Sequence, residues 1–225
     1  PRMASNVAKD SEPSIPATVM TQVQGGKTGT SEKLNIEKGQ QKTNKDVYLY
    51  AARTHEARSE FNQALDYYMK ALELDPANYI VMNNIAGVYI RLKLYNDALS
   101  YSNKALEVKT NYVPSLINAG IAQVSLGNFS EGEGFLTRAA TIEPLNKLAI
   151  FNLAVLCEKQ GSNDRAYENY YNLSQMRDVD GCLGAARILE RQGRNAEAAR
   201  FYREILTIES AAPSIRLFAN QRLGQ

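Results

Sequence analysis

A 34-residue period is the feature that most constrains how this sequence can fold. The stretch ALDYYMKALELDP begins at Ala64 and returns in weaker form from residues 98, 132, 166 and 198, so that the successive steps are 34, 34, 34 and 32 residues. A fixed period of about 20–50 residues is typical of proteins built from stacked supersecondary units, each of which buries its apolar face against its neighbours. The sequence therefore predicts a single elongated array, preceded by a tail.

Each unit has the pattern of two helices. In the first unit, small and aromatic residues recur at helical spacing over residues 48–55 and again over 61–72, on either side of a polar break at 58–60. Pro76 ends the second helix, because proline cannot continue a helix and disfavours the α conformation in the residue before it. Asn78 is the predicted N-cap of the helix that follows.

Further features recur in the same phase. Small residues such as Ala64 occupy the predicted contacts between helices, Tyr89 ends a first helix, Gly127 lies in a turn between helices and Pro144 lies at the exit of a unit. This combination resembles the tetratricopeptide repeat. The resemblance implies an all-α fold, in which helix-turn-helix repeats stack into a right-handed α-solenoid superhelix with a concave side lined by the first helix of each pair. The predicted repeats are 45–78, 79–112, 113–146, 147–178 and 179–212.

The chain departs from the family pattern at several places. The turn glycine is missing from the first two units, and the fourth unit is two residues short and ends without proline, so we expect local distortion near Asp178. Residues 213–225 begin with proline and carry an apolar face. Because a terminal repeat needs a cap with a polar outer side, this segment is predicted to be a C-terminal capping helix.

The first 44 residues contain no Phe, Tyr or Trp and are rich in Ser, Thr, Pro, Gln, Gly and Lys. Such a segment cannot bury enough apolar surface to offset the entropy lost on ordering, so residues 1–44 are predicted to be a disordered linker. Within it, residues 26–28 (Gly-Lys-Thr) resemble the end of a phosphate-binding loop. However, Thr21 stands where that motif requires glycine, and no nucleotide or other cofactor is predicted.

The resemblance also suggests which residues face the groove. The residue two places before the small helix contact is Tyr50, Asn84, Asn118, Asn152 and Gly184 in the five units. Since asparagine offers both a donor and an acceptor, a ladder of them could bind an extended peptide backbone. Alternatively, each asparagine bonds a neighbouring helix, as buried side-chain amides usually do.

Other groove candidates are apolar or basic. An apolar floor with basic edges suits an amphipathic helix or an apolar segment flanked by acids; alternatively, the apolar residues pack between repeats. The further candidates are Arg53, Arg91, Ile117, Ile121, Phe151, Lys159 and Arg187. Chaperone-binding arrays of this family grip a terminal carboxylate with a set of Lys, Asn and Arg residues, and only Asn84 matches that set here, which argues against this function.

Composition and motifs argue against other classes of function. A net charge of +2 does not indicate a protein that binds nucleic acid. The sequence contains no run of 18 apolar residues and therefore predicts no membrane span. The single histidine, His55, is predicted to be a packing residue, and Cys157 and Cys182 are predicted to be buried and unpaired. No catalytic or metal site is found, so the protein is predicted not to be an enzyme.

The sequence therefore favours a scaffold or adaptor that binds a peptide or a partner segment in the concave groove. A self-assembling homo-oligomeric scaffold is the alternative. The layout of a polar linker before repeats resembles bacterial proteins of pilus and secretion-system assembly, in which a membrane anchor precedes the linker. A cytoplasmic protein, or a periplasmic one with an anchor upstream of residue 1, fits equally well.

Overall fold

The computed structural model describes the backbone of residues 30–224 and the side chains of residues 44–224. The chain divides into two units, Pro1–Lys38 and Gly39–Gln225, and the repeats belong to the second. Residues 1–29 of the predicted linker lie outside the described residues.

Residues 30–224 form eleven α-helices, and this described part of the chain contains no strand. The helices form five consecutive pairs, α1–α2 to α9–α10, followed by α11. The predicted all-α solenoid is thereby confirmed. The helices are α1 Thr30–Ala57, α2 Phe61–Leu74, α3 Tyr79–Arg91, α4 Tyr95–Val108, α5 Val113–Ser125, α6 Phe129–Ile142, α7 Lys147–Lys159, α8 Asn163–Gln175, α9 Val179–Arg191, α10 Asn195–Thr207 and α11 Pro213–Leu223.

Helix α1 differs from the sequence-based expectation at its N-terminal end. It begins at Thr30, whereas composition places residues 30–44 in a disordered linker. The absence of aromatic residues indicates that a segment cannot build a core, but it does not prevent local helix formation. Lys, Glu and Gln, which make up seven of residues 30–44, have high intrinsic helix propensity.

Small residues allow the two helices of each pair to approach closely. The second helices carry Ala64, Ala98, Gly132, Ala166 and Ala198 at equivalent positions, and all five are buried. Each second helix also packs on the first helix of the next pair, as α2 does on α3 and α8 does on α9. Asn78, Asn146 and Asp178 cap these following helices, since each side chain accepts a hydrogen bond from a backbone N–H in the first turn.

The turn within each pair requires a left-handed residue. The middle residue of the three-residue link has a φ of 60° at Ser59, 60° at Lys93, 88° at Gly127, and 74° at both Gly161 and Gly193. The first two repeats therefore keep the turn geometry although they lack the glycine. A left-handed conformation costs a non-glycine residue about 1–2 kcal/mol.

Lys93→Gly is therefore expected to raise the free energy of unfolding by about 0.5–1 kcal/mol. The relief of left-handed strain exceeds the extra entropy that glycine loses on folding. Urea-induced unfolding, followed by circular dichroism, measures the change. The reciprocal substitution Gly161→Lys should destabilise the chain, and equal stability of both variants and the native chain would contradict the strain argument.

The joint after α8 is shorter than the others. Only residues 176–178 separate α8 from α9, whereas residues 75–78 separate α2 from α3. Arg177 adopts a φ of 53° there, so the expected local distortion is a left-handed residue in the link. The short joint brings α9 close to α8, and Gly181 and Gly184 lie at the contact.

Helix α11 covers the end of α10. Its Ala219 is fully buried, and the Arg216 guanidinium donates hydrogen bonds to the carbonyl oxygens of Leu206, Ile208, Glu209 and Ala211. Leu206 lies in the last turn of α10 and the other three residues follow that helix, where backbone acceptors lack helical partners. A cation at this end also complements the helix dipole.

Candidate functional site

The first helices expose one stripe of side chains with helical spacing, which we call the first-helix face. Within a helix its positions are i, i+3 and i+7, which lie on the same side of an α-helix. The side chains at the third position, including Arg91, Lys159 and Arg191, are exposed. The face consists of Tyr50, Arg53 and Ala57 on α1; Asn84, Gly87 and Arg91 on α3; Asn118, Ile121 and Ser125 on α5; Asn152, Val155 and Lys159 on α7; and Arg187 and Arg191 on α9.

The three asparagines of this face are half-buried and interact with the protein itself. Asn118 Nδ2 donates to Oδ1 of Asn83 at 3.0 Å and to its carbonyl oxygen at 3.3 Å. Asn152 Nδ2 donates to the carbonyl oxygen of Leu148 at 2.7 Å, and the Asn84 side chain interacts with the Tyr68 hydroxyl. For Asn118 the structure thus has the bond to a neighbouring helix that was the alternative to a peptide-binding ladder.

Two of the predicted groove positions are not accessible. Ile117 is only 2% exposed and packs in the core beside Leu116 and Leu136, so its assignment to the groove is corrected. A Cβ added to Gly184 would lie 2.3 Å from the Tyr170 ring, so this position faces α8 rather than the groove. Ile117 is thus on the core side of α5, whereas Gly184 lies against the Tyr170 ring of the preceding helix.

The remaining apolar candidates are partly accessible. Ile121 and Phe151 are half-buried. The Phe151 ring lies edge-on to Tyr170, with 6.1 Å between the ring centroids. Tyr50, the aromatic residue of the first-helix face, is 69% exposed. The apolar side chains are therefore only partly accessible on α5 and α7, whereas the one on α1 is largely exposed.

The basic candidates keep their guanidinium and ammonium groups accessible. Arg53 and Lys159 are exposed. Arg91 Nε lies 4.0 Å from a Glu56 carboxylate oxygen, and its side chain is 57% exposed. Arg187 Nη2 lies 2.5 Å from Glu158 Oε2 and remains about half exposed. These four cations, with Arg191, give the face a basic character even where a glutamate partly neutralises it.

A recurrent glutamate–tyrosine pair lies beside this face, and the sequence analysis missed it. Tyr68 donates to Glu56 Oε2 at 2.8 Å, and Tyr170 donates to Glu158 Oε2 at 2.6 Å, with twelve residues between the partners in both cases. Glu190 and Tyr202 have the same spacing, and burial together with a hydrogen bond to Glu190 raises the pKa of Tyr202 to about 12. A search for glutamate followed by tyrosine twelve residues later, in phase with the period, could have found the pairs.

Each of these glutamates also lies near an arginine two helices further along the chain, on α3, α9 or α11. Glu56 is near Arg91, Glu158 binds Arg187 and Arg191, and Glu190 Oε1 lies 3.8 Å from Arg222 Nη1. Burial would raise the pKa of Glu158. Hydrogen bonds from Tyr170, Arg187 and Arg191 outweigh burial and hold this pKa below its usual range. The pairs therefore link successive repeats electrostatically along the C-terminal edge of the first helices.

Comparison with known sequences identifies the repeat. Sequence models of the tetratricopeptide repeat match residues 46–112 and 182–214, where the structure has helix pairs of the expected length and turn geometry. These two segments are tetratricopeptide repeats. Proteins of this family are generally non-catalytic protein-interaction modules.

Known relatives match parts of this tetratricopeptide repeat chain. A FAM10 family protein of Arabidopsis thaliana is 29% identical over 71% of this chain, and the alignment covers 35% of that protein. The chain thus spans about a third of the length of this curated relative. Among solved structures, a tetratricopeptide repeat protein of Thermus thermophilus superposes over 80% of this chain and all of its own, with a TM-score of 0.68 and 18% identity. The first repeat domain of Spaghetti (RPAP3), bound to an HSP90 peptide, superposes over 53% of this chain and 94% of its own, with a TM-score of 0.51 and 24% identity.

The described part of the tetratricopeptide array contains no cluster of three or more His, Cys, Asp or Glu residues that could hold a metal ion. His55 stacks on Tyr67 with 5.3 Å between the ring centroids, and its Nδ1 lies 2.5 Å from Glu60 Oε2. Cys157 and Cys182 are free and buried. Over residues 30–224, none of the helices combines the length and the apolar character that a bilayer-spanning segment requires.

Proposed function

We propose that the chain is a non-catalytic scaffold that holds a segment of a partner protein against its first-helix face. The observation that carries this proposal is the continuity of that face. Accessible side chains follow one another from Tyr50 on α1 to Arg191 on α9, and they combine half-buried asparagines with exposed cations. The RPAP3 repeat domain, which resembles the chain in fold, is bound to a peptide, and this supports a peptide as the occupant.

The charges of the face indicate the chemistry of the partner. Its cations Arg53, Arg91 and Lys159 lie on three different helices, so an extended or helical segment could contact them in succession. Complementary charge accelerates encounter and sets the register of binding. We infer a partner segment in which acidic side chains flank apolar ones. Because only Asn84 matches the carboxylate-gripping set, this inference does not require a chain terminus.

The asparagine ladder is part of the same proposal, with one condition. A peptide could bond Asn84 and Asn152 directly. Asn118 would have to exchange one of its bonds to Asn83, which offsets part of the gain. We therefore expect the cations and Asn84 to contribute more to affinity than Asn118.

Peptide selection followed by titration tests the proposal. Twelve-residue peptides are selected from a random library on the full chain, and the affinity of the strongest binder is measured by isothermal titration calorimetry. The double variant Arg53→Ala/Lys159→Ala should bind at least about 10-fold more weakly, because two charge-assisted contacts are lost. The matched control Lys104→Ala/Arg203→Ala removes two exposed cations from second helices and should leave the affinity within about 2-fold. Equal weakening by both double variants would contradict a first-helix site.

Self-assembly is the second candidate, favoured by exposed apolar side chains where α6 joins α7. Ile142 is 39% exposed, Leu145 76% and Leu148 54%. Contiguous exposed apolar side chains often mark interaction surfaces. Sedimentation velocity over a 100-fold range of concentration separates the two candidates, since only self-assembly predicts a size that rises with concentration.

Among biological processes, we propose pilus or secretion-system assembly, and this proposal rests on the layout of the sequence alone.

A further inference from the structure

A second candidate site is a cleft between the second helices α8 and α10. Its volume is about 460 Å³, and its lining includes Tyr167, Tyr171 and Phe201. Tyr171 is 43% exposed, whereas Phe201 is buried at the base. The volume falls within the range of about 300–1,000 Å³ that is usual for small-molecule and side-chain pockets. The first-helix face contributes no residue to this cleft.

The three rings form an open aromatic box. The centroids of Tyr167 and Tyr171 are 6.0 Å apart, and their planes are inclined by only 28°. Phe201 lies 6.4 Å from each of them and almost perpendicular to both. Aromatic faces carry a negative quadrupole that attracts a cation within about 6 Å of the ring centroid. A cation in the cleft would lie over these ring faces rather than between Tyr167 and Tyr171, whose 6.0 Å separation leaves no room for one.

The 34-residue period provides an internal comparison for this box. Phe201 is equivalent to Tyr67 in the first repeat and to Tyr101 in the second. Those two rings already have a cation from their own helix: Lys70 Nζ lies 5.1 Å from the Tyr67 centroid and Lys104 Nζ lies 4.5 Å from the Tyr101 centroid. In both cases the lysine follows the tyrosine by three residues.

In the fifth repeat the residue at that position is Glu204 rather than a lysine. Phe201 is equivalent to the rings that receive a lysine from their own helix in the first two repeats. It has the half-buried carboxylate of Glu204 beside it instead. Tyr167 and Tyr171 lie beside the Phe201 ring, and other aromatic rings likewise lie beside Tyr67 and Tyr101. An anion has thus replaced the internal cation beside this ring.

The other charges of the cleft nearly balance. Glu197 lines it but accepts two hydrogen bonds from the Arg194 guanidinium, at 2.7 and 2.8 Å. Arg200 also contributes to the lining and is exposed. Glu204 follows Phe201 by three residues on α10, so its carboxylate lies on the same side of the helix as the ring. An incoming cation would complement both the rings and this carboxylate.

We propose that this cleft binds a lysine or arginine side chain from a basic segment of a partner protein. The partner's cation occupies the place that Lys70 and Lys104 take over their own rings in the first two repeats. The cleft provides a second contact surface for the scaffold, separate in its residues from the first-helix face, and it selects basic rather than acidic segments.

Nuclear magnetic resonance titration of the isotope-labelled full chain tests the proposal, with N-acetyl-arginine amide and N-acetyl-lysine amide as probes. We expect dissociation constants of about 1–10 mM, typical of a single cation in an open aromatic site. Chemical shift changes should concentrate on Tyr167, Tyr171 and Phe201. N-acetyl-citrulline amide has nearly the shape of the arginine probe but no charge, and it should bind at least about 5-fold more weakly. Equal binding of the citrulline probe would overturn the proposal.

Glu204→Lys is the decisive variant, because it restores the arrangement of the first two repeats. The variant should fold, since Lys70 and Lys104 occupy equivalent places, and its own lysine should lower the affinity for the arginine probe at least about 10-fold. Glu107→Lys makes the same charge change on α4 and should leave the affinity within about 2-fold. Unchanged binding by Glu204→Lys would overturn the proposal. Tetramethylammonium binding at least 10-fold more tightly than the arginine probe would overturn it in favour of a small organic cation.

Discussion

Gly181→Ala is expected to lower the free energy of unfolding by about 1–3 kcal/mol, the usual range for overpacking a close contact. A Cβ at this position would lie 2.4 Å from Leu173 Cβ and 2.8 Å from the backbone nitrogen of Ser174. Backbone atoms cannot move away by changing a rotamer, so α9 would have to shift relative to α8. The midpoint of urea-induced unfolding, followed by circular dichroism, measures the loss.

Gly134→Ala is the matched control for this prediction. Gly134 lies within α6, and a Cβ there would have no neighbouring atom within 4 Å. Alanine should stabilise this exposed helix position by about 0.5–1 kcal/mol, because glycine loses more backbone entropy on folding. The two glycine-to-alanine changes should therefore have opposite signs. If both variants were stabilised, the close approach of α8 and α9 would be refuted.

Repetition explains why most of the fold was predictable. A period of 34 residues places small residues such as Ala64 and Ala98 at equivalent contacts, so one repeat predicts the others. The link residue Lys93 adopts the left-handed turn without the glycine that marks it elsewhere, because the packing of the helix pair determines that turn. The start of α1 was not predictable from composition, since helix propensity and core-forming ability are separate properties.

The site was less predictable than the fold. Helical spacing located the first-helix face, but it could not show that Ile117 turns into the core or that the Asn118 amide bonds to Asn83. Such details depend on the distance between neighbouring helices, which varies with side-chain size. The box around Phe201 combines residues of two successive second helices. Its interpretation as a cation site depends on the positions of Lys70 and Lys104 over their rings, which only the structure gives.

Glu158→Gln is expected to lower the free energy of unfolding by about 1–3 kcal/mol at pH 7, the scale of charge-assisted hydrogen bonds in a partly buried site. Glu158 is only 15% exposed in its side chain and joins Tyr170 on α8 to Arg187 and Arg191 on α9. Glutamine keeps the shape but weakens these contacts. Because both arginines are about half exposed, water limits the cost of losing their partner. Glu168→Gln, at an exposed position on α8, should change stability by less than about 0.5 kcal/mol.

The same substitution should remove part of the acid sensitivity of the array. The pKa of Glu158 is lower in the folded chain than its usual value. The folded state therefore gains stability from this carboxylate above the unfolded pKa, and this gain is lost as pH falls through the folded pKa. The stability difference between the native chain and Glu158→Gln should be constant from pH 7 to about pH 5 and should shrink towards pH 3. A difference that stayed constant over the whole range would show that shape, rather than charge, makes Glu158 stabilising.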